Sequence, residues 1–359
     1  MEKRSDFELI SRYKTALMGV AALMIYLFHQ WAHQWVRVPI SPPWFGSMLN
    51  FAQRIGFYGV DIFLLLSGMG LVYAIEKHSL MRFYARRLQR VFLPFLLSAI
   101  AMALVSGWSM AEFLKKVLLY DFLFVNTSSI LWFVPTIIIL YLLFPFYHRC
   151  FIRAKNKFVF SLLIVIFWIG AASLSSSVIR SDLYSAINRV PIFLAGVYMG
   201  WLSKENPLSL RPVHWALVSA FFIIGLVLMY LTSYKDLFLF VPISNCCVPA
   251  FLLAVTSVFI FTRILALLDS FRPGKWLLWL LGRLGTISLE LYCMHEWLDD
   301  IIRGRISISY EYCIDNISRI DLSIFLCVLA AALLLHFLCK AILHLTATFS
   351  QHIRKSPRQ

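Results

Sequence analysis

The stretch that decides the fold is an apolar segment containing one carboxylate, Gly59-Val60-Asp61-Ile62-Phe63-Leu64-Leu65-Leu66-Ser67-Gly68. A basic cluster follows it, Phe83-Tyr84-Ala85-Arg86-Arg87-Leu88-Gln89-Arg90-Val91-Phe92-Leu93-Pro94. An acid inside an apolar segment is expensive in lipid, so it usually has a function. Three arginines within five residues suit a polyanion such as a phosphorylated cofactor.

The rest of the chain has the composition of a membrane protein. Of its 359 residues, 60% are hydrophobic and 14% are charged. Several apolar runs approach the roughly 20 residues that a helix needs to span a bilayer. Because backbone groups at that depth must pair within their own segment, these runs predict helices. We therefore expect an all-α polytopic membrane helix bundle, with residues 1–359 forming a single domain with short tails at both ends.

The apolar runs predict about ten transmembrane helices, at roughly 15–31, 57–75, 91–108, 130–147, 158–175, 187–202, 212–232, 237–262, 276–295 and 322–343. If the N-terminus is cytoplasmic, the inner segments hold 21 Lys and Arg residues and the outer segments hold 10. This bias predicts that both termini are cytoplasmic. Basic inner loops also account for the net charge of +15, so no nucleic acid is expected as a partner.

Three titratable residues are predicted to lie near the outer face. His29 ends the first span, Asp61 begins the second and His295 ends the ninth. An imidazole oriented by Asp61 could take a proton from a hydroxyl as a general base. The alternative is that these side chains only face water or a loop.

The ninth span carries a polar stripe. Ser288, Tyr292 and His295 are spaced i, i+4 and i+7, so they share one helix face. Such a face should point into the bundle or a water-filled cavity. Arg189, which opens the sixth span, is a further ionisable group near the outer boundary. A partner for Glu290 is left open.

The arginine cluster is predicted to lie at the inner face. Arg86, Arg87 and Arg90 either bind a phosphorylated cofactor or anchor the chain to lipid head groups. The seven cysteines show no spacing typical of a zinc site or a disulfide framework, and no metal is expected.

Four blocks and a closing motif resemble the acyltransferase-3 family of bacterial membrane O-acyltransferases. The resemblance runs from about Tyr13 to His295. The blocks are Tyr26-Leu27-Phe28-His29, Gly59-Val60-Asp61-Ile62-Phe63 with Ser67-Gly68, Phe83-Tyr84 through Arg90 to Pro94, and Leu131-Trp132-Phe133 with Tyr141-Leu142-Leu143-Phe144-Pro145. The closing motif runs from Ile287 to His295.

The resemblance implies roles for individual residues. His29 matches the family's catalytic histidine, and Arg86, Arg87 and Arg90 match its functional arginines. The family usually has an arginine eleven residues before the histidine, where this chain has Met18. Lys14, one turn earlier, is the basic residue that could substitute for it. A further set is expected to contact substrate or to act as structural polar residues: Trp132, Arg189, Ser288, Tyr292 and His295.

The implied activity is transfer of an acyl group, usually acetyl from acetyl-CoA, to a hydroxyl. We expect an O-acyltransferase of the bacterial inner membrane, embedded in lipid, with acyl-CoA as co-substrate. The expected acceptor is a cell-surface glycan or a lipid-linked sugar. Direct transfer and a transient acyl-enzyme are both open. The alternatives are a flippase or transporter for a lipid-linked sugar, and a catalytically idle relative that binds a ligand, which Met18 suggests.

Overall fold

The structure is a computed structural model that describes residues 5–32, 43–125, 131–174, 181–205, 209–235, 247–306 and 313–355. These residues form helices and no strand, which confirms the all-α prediction. The helices in the described ranges are α1 Asp6–Ala32, α2 Pro43–Arg54, α3 Gly59–Lys77, α4 Leu80–Ser106, α5 Met110–Val117, α6 Tyr120–Phe124, α7 Phe133–Arg153, α8 Lys157–Leu174, α9 Ser181–Ile187, α10 Val190–Glu205, α11 Pro212–Tyr234, α12 Cys247–Leu268, α13 Arg272–Thr286, α14 Ser288–Ile306 and α15 Cys313–Lys355.

A membrane bundle is confirmed, although the count of about ten spans is not. Among the described residues, six helices are long and apolar enough to cross a membrane, or seven if the bent pair α13–α14 counts as one span. The six are Trp44–Lys77, Leu80–Ser106, Phe133–Arg153, Pro212–Tyr234, Cys247–Leu268 and Leu322–Thr348. The first includes α2, α3 and the 3-10 turn Ile55–Tyr58 between them.

Helix α4 begins earlier than the apolar run suggests. It starts at Leu80, eleven residues before the predicted boundary, and ends at Ser106. Gly107 caps it with a φ of 67°, a left-handed conformation that favours glycine. The arginine cluster therefore lies on the first turns of a helix rather than in a loop. Arg86 and Arg90, four residues apart, share a face, and Arg87 is rotated by about 100° from Arg86.

Helix α1 packs against α3, α12, α13 and α14. Its closest approach is to α13, where a glycine on each helix contacts the backbone of the other helix. A Cβ at Gly19 would overlap the carbonyl of Leu281, and a Cβ at Gly285 would overlap the carbonyl of Thr15. Small residues allow this approach between membrane helices.

A bend of 73° separates α13 from α14, where the sequence predicts one span over 276–295. Hydroxyl groups bond carbonyls next to the break: Ser288 Oγ donates to Gly285 O at 3.0 Å, and Thr286 Oγ1 donates to Gly282 O at 2.9 Å. Side chains of this kind let a broken helix persist in a membrane protein. The break brings the first turn of α14 into the bundle.

Helix α14 continues to Ile306, well past the predicted end of the ninth span at 295. Residues that the sequence assigns to an outer loop, among them Glu296 and Asp299, are therefore helical. Helix α15 packs along α14, where His336 Nδ1 lies 2.7 Å from Glu290 Oε1. This contact supplies the partner that the sequence left open for Glu290.

Candidate functional site

Two histidines predicted to lie at one depth are in contact. The ring centroids of His29 on α1 and His295 on α14 are 4.8 Å apart. The carboxylate beside them is Glu296, whose Oε1 lies 3.5 Å from His29 Nδ1. We call His29, His295 and Glu296 the histidine cluster, and the end of the bundle that holds it the histidine end.

His295 is held in a defined orientation. It is 2% exposed, and its Nδ1 lies 2.8 Å from the carbonyl of Tyr292. A carbonyl only accepts, so Nδ1 carries a proton, and in the neutral ring Nε2 then presents a lone pair. Within the described ranges, no hydrogen-bond partner contacts that buried Nε2.

Asp61 does not contact His29. Its Oδ1 lies 3.3 Å from Arg189 Nε, and both side chains are buried. The Arg189 guanidinium also lies near two aromatic rings, 5.7 Å from the centroid of Trp132 and 5.9 Å from that of Phe57. The predicted orientation of His29 by Asp61 is thus not seen. The carboxylate next to His29 is that of Glu296, and the catalytic assignment of Asp61 stays a prediction.

A second buried carboxylate lies one turn beyond Glu296. Asp299, 1% exposed, accepts hydrogen bonds from Arg303 Nε at 2.6 Å, from Gln30 Nε2 and from Tyr26 at 3.4 Å. Arg303 also donates to Gln30 Oε1 at 2.8 Å. Because Gln30 follows His29 in the chain, this network ties the end of α1 to α14 next to the histidine cluster.

A cavity of about 270 Å³ opens between the first turns of α4 and the break that separates α13 from α14. We call this end of the bundle the arginine end. Lys14, Arg87 and Arg90 are the basic residues of the cavity wall. The other lining residues are Thr15, Met18, Phe63, Ser67, Val91, Phe133, Ile137, Tyr141, Gly285, Ser288, Leu289 and Tyr292.

Arg86 differs from the other two arginines. It does not line the cavity, and its guanidinium lies 2.7 Å from His78 Nε2 in the turn before α4. Desolvation, with the positive charges of Arg86 and Arg82, lowers the pKa of His78. The neutral ring can therefore accept the hydrogen bond from Arg86. Of the three predicted arginines, the structure brings Arg87 and Arg90 together with Lys14 and Met18.

A smaller cavity of about 10 Å³ lies next to the larger one, on the side of the histidine cluster. Phe63, Ser288 and Tyr292 line both cavities. The smaller cavity is completed by Ala22, Ile25, Tyr26, Leu291 and His295. The three residues of the polar stripe predicted on the ninth span therefore all line a cavity, and their role stays a prediction.

Helix α1 follows this path from one end to the other. Lys14, Thr15 and Met18 line the larger cavity, Ala22, Ile25 and Tyr26 line the smaller one, and His29 lies beyond them. Lys14 and His29 are 15 positions apart, or roughly 22 Å along a helix. An elongated molecule with an anionic head and a reactive tail fits this arrangement, because the basic groups and the imidazoles lie at opposite ends.

The histidine cluster could also hold a divalent cation. One ligand atom from each of its three residues lies within 4.8 Å of the others. Two imidazoles and a carboxylate are a donor set that zinc accepts. The hydrogen bond from His295 Nδ1 to a carbonyl is the kind of contact that orients metal-binding histidines.

The sequence offered an overlooked signal for Glu296 and Asp299. Tyr292, Glu296, Asp299 and Arg303 are spaced i, i+4, i+7 and i+11, which is helical spacing continued beyond the apolar run. This polar periodicity indicates a helix whose buried face is hydrophilic. Hydropathy alone places these residues in a loop.

Comparison with known protein families agrees with the resemblance. The family of the acyltransferase domain, acyltransferase 3, matches residues 15–340. No curated protein and no solved structure matches the chain. The family match covers the arginine cluster, the histidine cluster and the lining of both cavities apart from Lys14. The chain therefore belongs to the acyltransferase-3 family and is a membrane acyltransferase.

Proposed function

We propose that the protein transfers an acetyl group from acetyl-CoA to a hydroxyl of a cell-surface glycan or a lipid-linked sugar. It would act in the bacterial inner membrane with both termini in the cytoplasm. That orientation follows from the excess of basic residues in the predicted inner segments. The arginine end then faces the cytoplasm, where acyl-CoA is available, and the histidine end faces outward.

The observation that carries the proposal is the order of groups along the two cavities. Arg87, Arg90 and Lys14 offer charge-assisted hydrogen bonds to the phosphates of CoA. The pantetheine arm would lie along the apolar wall of the larger cavity. The thioester would lie where the two cavities meet, at Ser288 and Tyr292, with the acyl group directed into the smaller cavity toward His295.

His29 would act as the general base. It accepts the proton of the acceptor hydroxyl as the oxygen attacks the thioester carbonyl. The new C–O bond forms as the C–S bond breaks, and the proton passes to the departing CoA thiolate. Glu296, 3.5 Å from His29, would orient the imidazole and stabilise its protonated form.

Transfer can be measured with purified protein in lipid nanodiscs. Radiolabelled acetyl-CoA is added with a lipid extract from the producing cells, and label in the lipid and glycan fractions is counted. The proposal predicts acetyl esters that mild alkali releases and that cells lacking the gene do not form. Absence of label from all fractions, despite intact protein, would contradict it.

One observation favours the transporter alternative. Broken helices that meet inside a bundle are typical of secondary transporters, and α13 and α14 form such a pair. A transporter for a lipid-linked sugar has no need to bind CoA. Saturable binding of acetyl-CoA at the arginine end would therefore favour the acyltransferase over the transporter. Binding together with transfer of label would indicate an active enzyme, and binding without transfer would indicate an idle relative.

A further inference from the structure

The two cavities differ greatly in size. The larger has a volume of about 270 Å³, and the smaller has about 10 Å³. One water molecule needs roughly 10–15 Å³ on this scale. The smaller cavity is therefore at the lower limit for one water molecule, so any group longer than a methyl would have to displace its walls.

We infer that the smaller cavity is the acyl pocket and that Ile25 and Leu291 restrict it to a two-carbon acyl group. This inference rests on the proposed function, because it takes acyl-CoA as the ligand of the larger cavity. The acetyl methyl would occupy the smaller cavity while the thioester carbonyl lies between Ser288 and Tyr292. A longer chain would meet the side chains of Ile25 and Leu291.

The walls of this pocket have little freedom to move. Ala22, Ile25 and Leu291 are 5%, 4% and 2% exposed, respectively. Ile25 is backed by α3, since a Cβ at Gly59 would lie 3.0 Å from Ile25 Cγ1. Packed interiors resist extra methylene groups, because the surrounding side chains must leave their preferred rotamers.

The helices that carry these walls are also fixed relative to each other. Ile25 lies on α1 and Leu291 on α14, the helix that follows the break. Just below them, Gly19 and Gly285 bring the backbones of α1 and α13 into direct contact. This contact resists a tilt of α1 against α13, so the size of the pocket depends mainly on the side chains that line it.

Binding of acyl-CoA tests the inference without knowledge of the acceptor. Dissociation constants of CoA, acetyl-CoA, propionyl-CoA and butyryl-CoA are measured for purified wild-type protein in nanodiscs. We expect acetyl-CoA to bind at least as tightly as CoA. Each added methylene should weaken binding on the order of tenfold, as expected for overpacking.

Ile25→Ala removes the side chain that limits the pocket. It should bring the affinity of butyryl-CoA to within about threefold of that of acetyl-CoA, because the lost side-chain volume accommodates the added methylenes. Ile137→Ala is the matched control, because Ile137 is also a buried isoleucine but lines only the larger cavity. It should leave the ratio of the two affinities unchanged.

Ala22→Leu is the reciprocal variant. It should fill the pocket and weaken acetyl-CoA more than CoA. If Ile25→Ala does not fold, Ile25→Val with propionyl-CoA and Ala22→Leu with acetyl-CoA decide the question. Equal affinities of wild-type protein for acetyl-CoA and butyryl-CoA would overturn the inference and leave the proposed function standing. Failure to bind CoA in any form would instead overturn the proposed function.

Discussion

The imidazoles of His29 and His295 lie edge to face, with ring centroids 4.8 Å apart and planes inclined by 71°. The two residues are far apart in the chain and belong to different helices, α1 and α14. His295 is fixed by the carbonyl of Tyr292, and His29 lies beside Glu296. The pair thus combines one ring whose tautomer is set with one ring placed next to a carboxylate, as a base near an acyl donor requires.

Replacement of His29 should abolish acyl transfer. His29→Ala is expected to lower the rate by ~10²–10⁴, because a positioned general base is lost. Acetyl-CoA affinity should stay within about twofold of wild type, since the residue lies beyond both cavities. The measurement is label transfer by purified protein after membrane insertion has been verified. A normal rate would remove His29 from the mechanism.

Glu296 and Asp61 can be separated as partners of His29. Glu296→Gln keeps the side chain's size but removes the charge beside His29, so we expect a fall in kcat with little change in acyl-CoA affinity. In a double-mutant cycle, Glu296→Gln should have little further effect once His29 is replaced. Asp61→Asn should instead add to the His29 substitution, because Asp61 contacts Arg189. If the effect of Glu296→Gln were instead additive with that of the His29 substitution and the effect of Asp61→Asn were not, Asp61 rather than Glu296 would be the partner of His29.

Within the arginine cluster, Arg86 is the control for Arg87 and Arg90. Arg87→Lys and Arg90→Lys keep the charge but lose the planar fork, and together they should weaken acetyl-CoA binding about tenfold or more. Arg86→Lys should leave affinity within about twofold, because Arg86 bonds His78 outside the cavity. Membrane orientation is checked in parallel by cysteine accessibility. If Lys at all three positions leaves affinity unchanged, the arginines act as topological anchors.

Lys14 and Met18 both line the larger cavity. Lys14 can therefore reach the same cavity as the arginine that the family usually has at the position of Met18. If Lys14 has taken the role of the family's arginine, Lys14→Ala should weaken acetyl-CoA binding and slow transfer. Met18→Arg in that background should restore both, because an arginine there reaches the same cavity. Acyl transfer is measured for the single and double variants at matched expression. Full activity of Lys14→Ala alone would mean that Lys14 only marks the end of the first span.

Zinc should inhibit transfer by binding the histidine cluster. Low micromolar Zn²⁺ is expected to compete for the lone pairs of His29 and His295, and a chelator should restore the rate. His295→Asn should raise the zinc concentration needed for half-inhibition at least tenfold, while an exposed histidine variant, His214→Asn, should not. Equal inhibition of wild type and His295→Asn would place the zinc effect elsewhere.

The sequence predicted which end of the bundle holds each ionisable group better than it predicted their partners. The prediction that the first and ninth spans end at the same membrane face was enough to place His29 near His295. Depth does not specify direction around a helix axis, however, so Asp61 at a similar depth faces Arg189 instead. Glu296 and Asp299 were missed because α14 stays helical beyond the apolar run. The bend near Ile287 was missed because hydropathy is continuous across it.

The contact between Gly19 and Gly285 has a consequence for how the larger cavity can be altered. At that crossing the main chains themselves meet, so the spacing between α1 and the break before Ser288 is a backbone property. Substitutions in the cavity walls can change the width and polarity of the larger cavity. The spacing between α1 and the break is set by the crossing, and every wall variant that preserves the two glycines is expected to keep it.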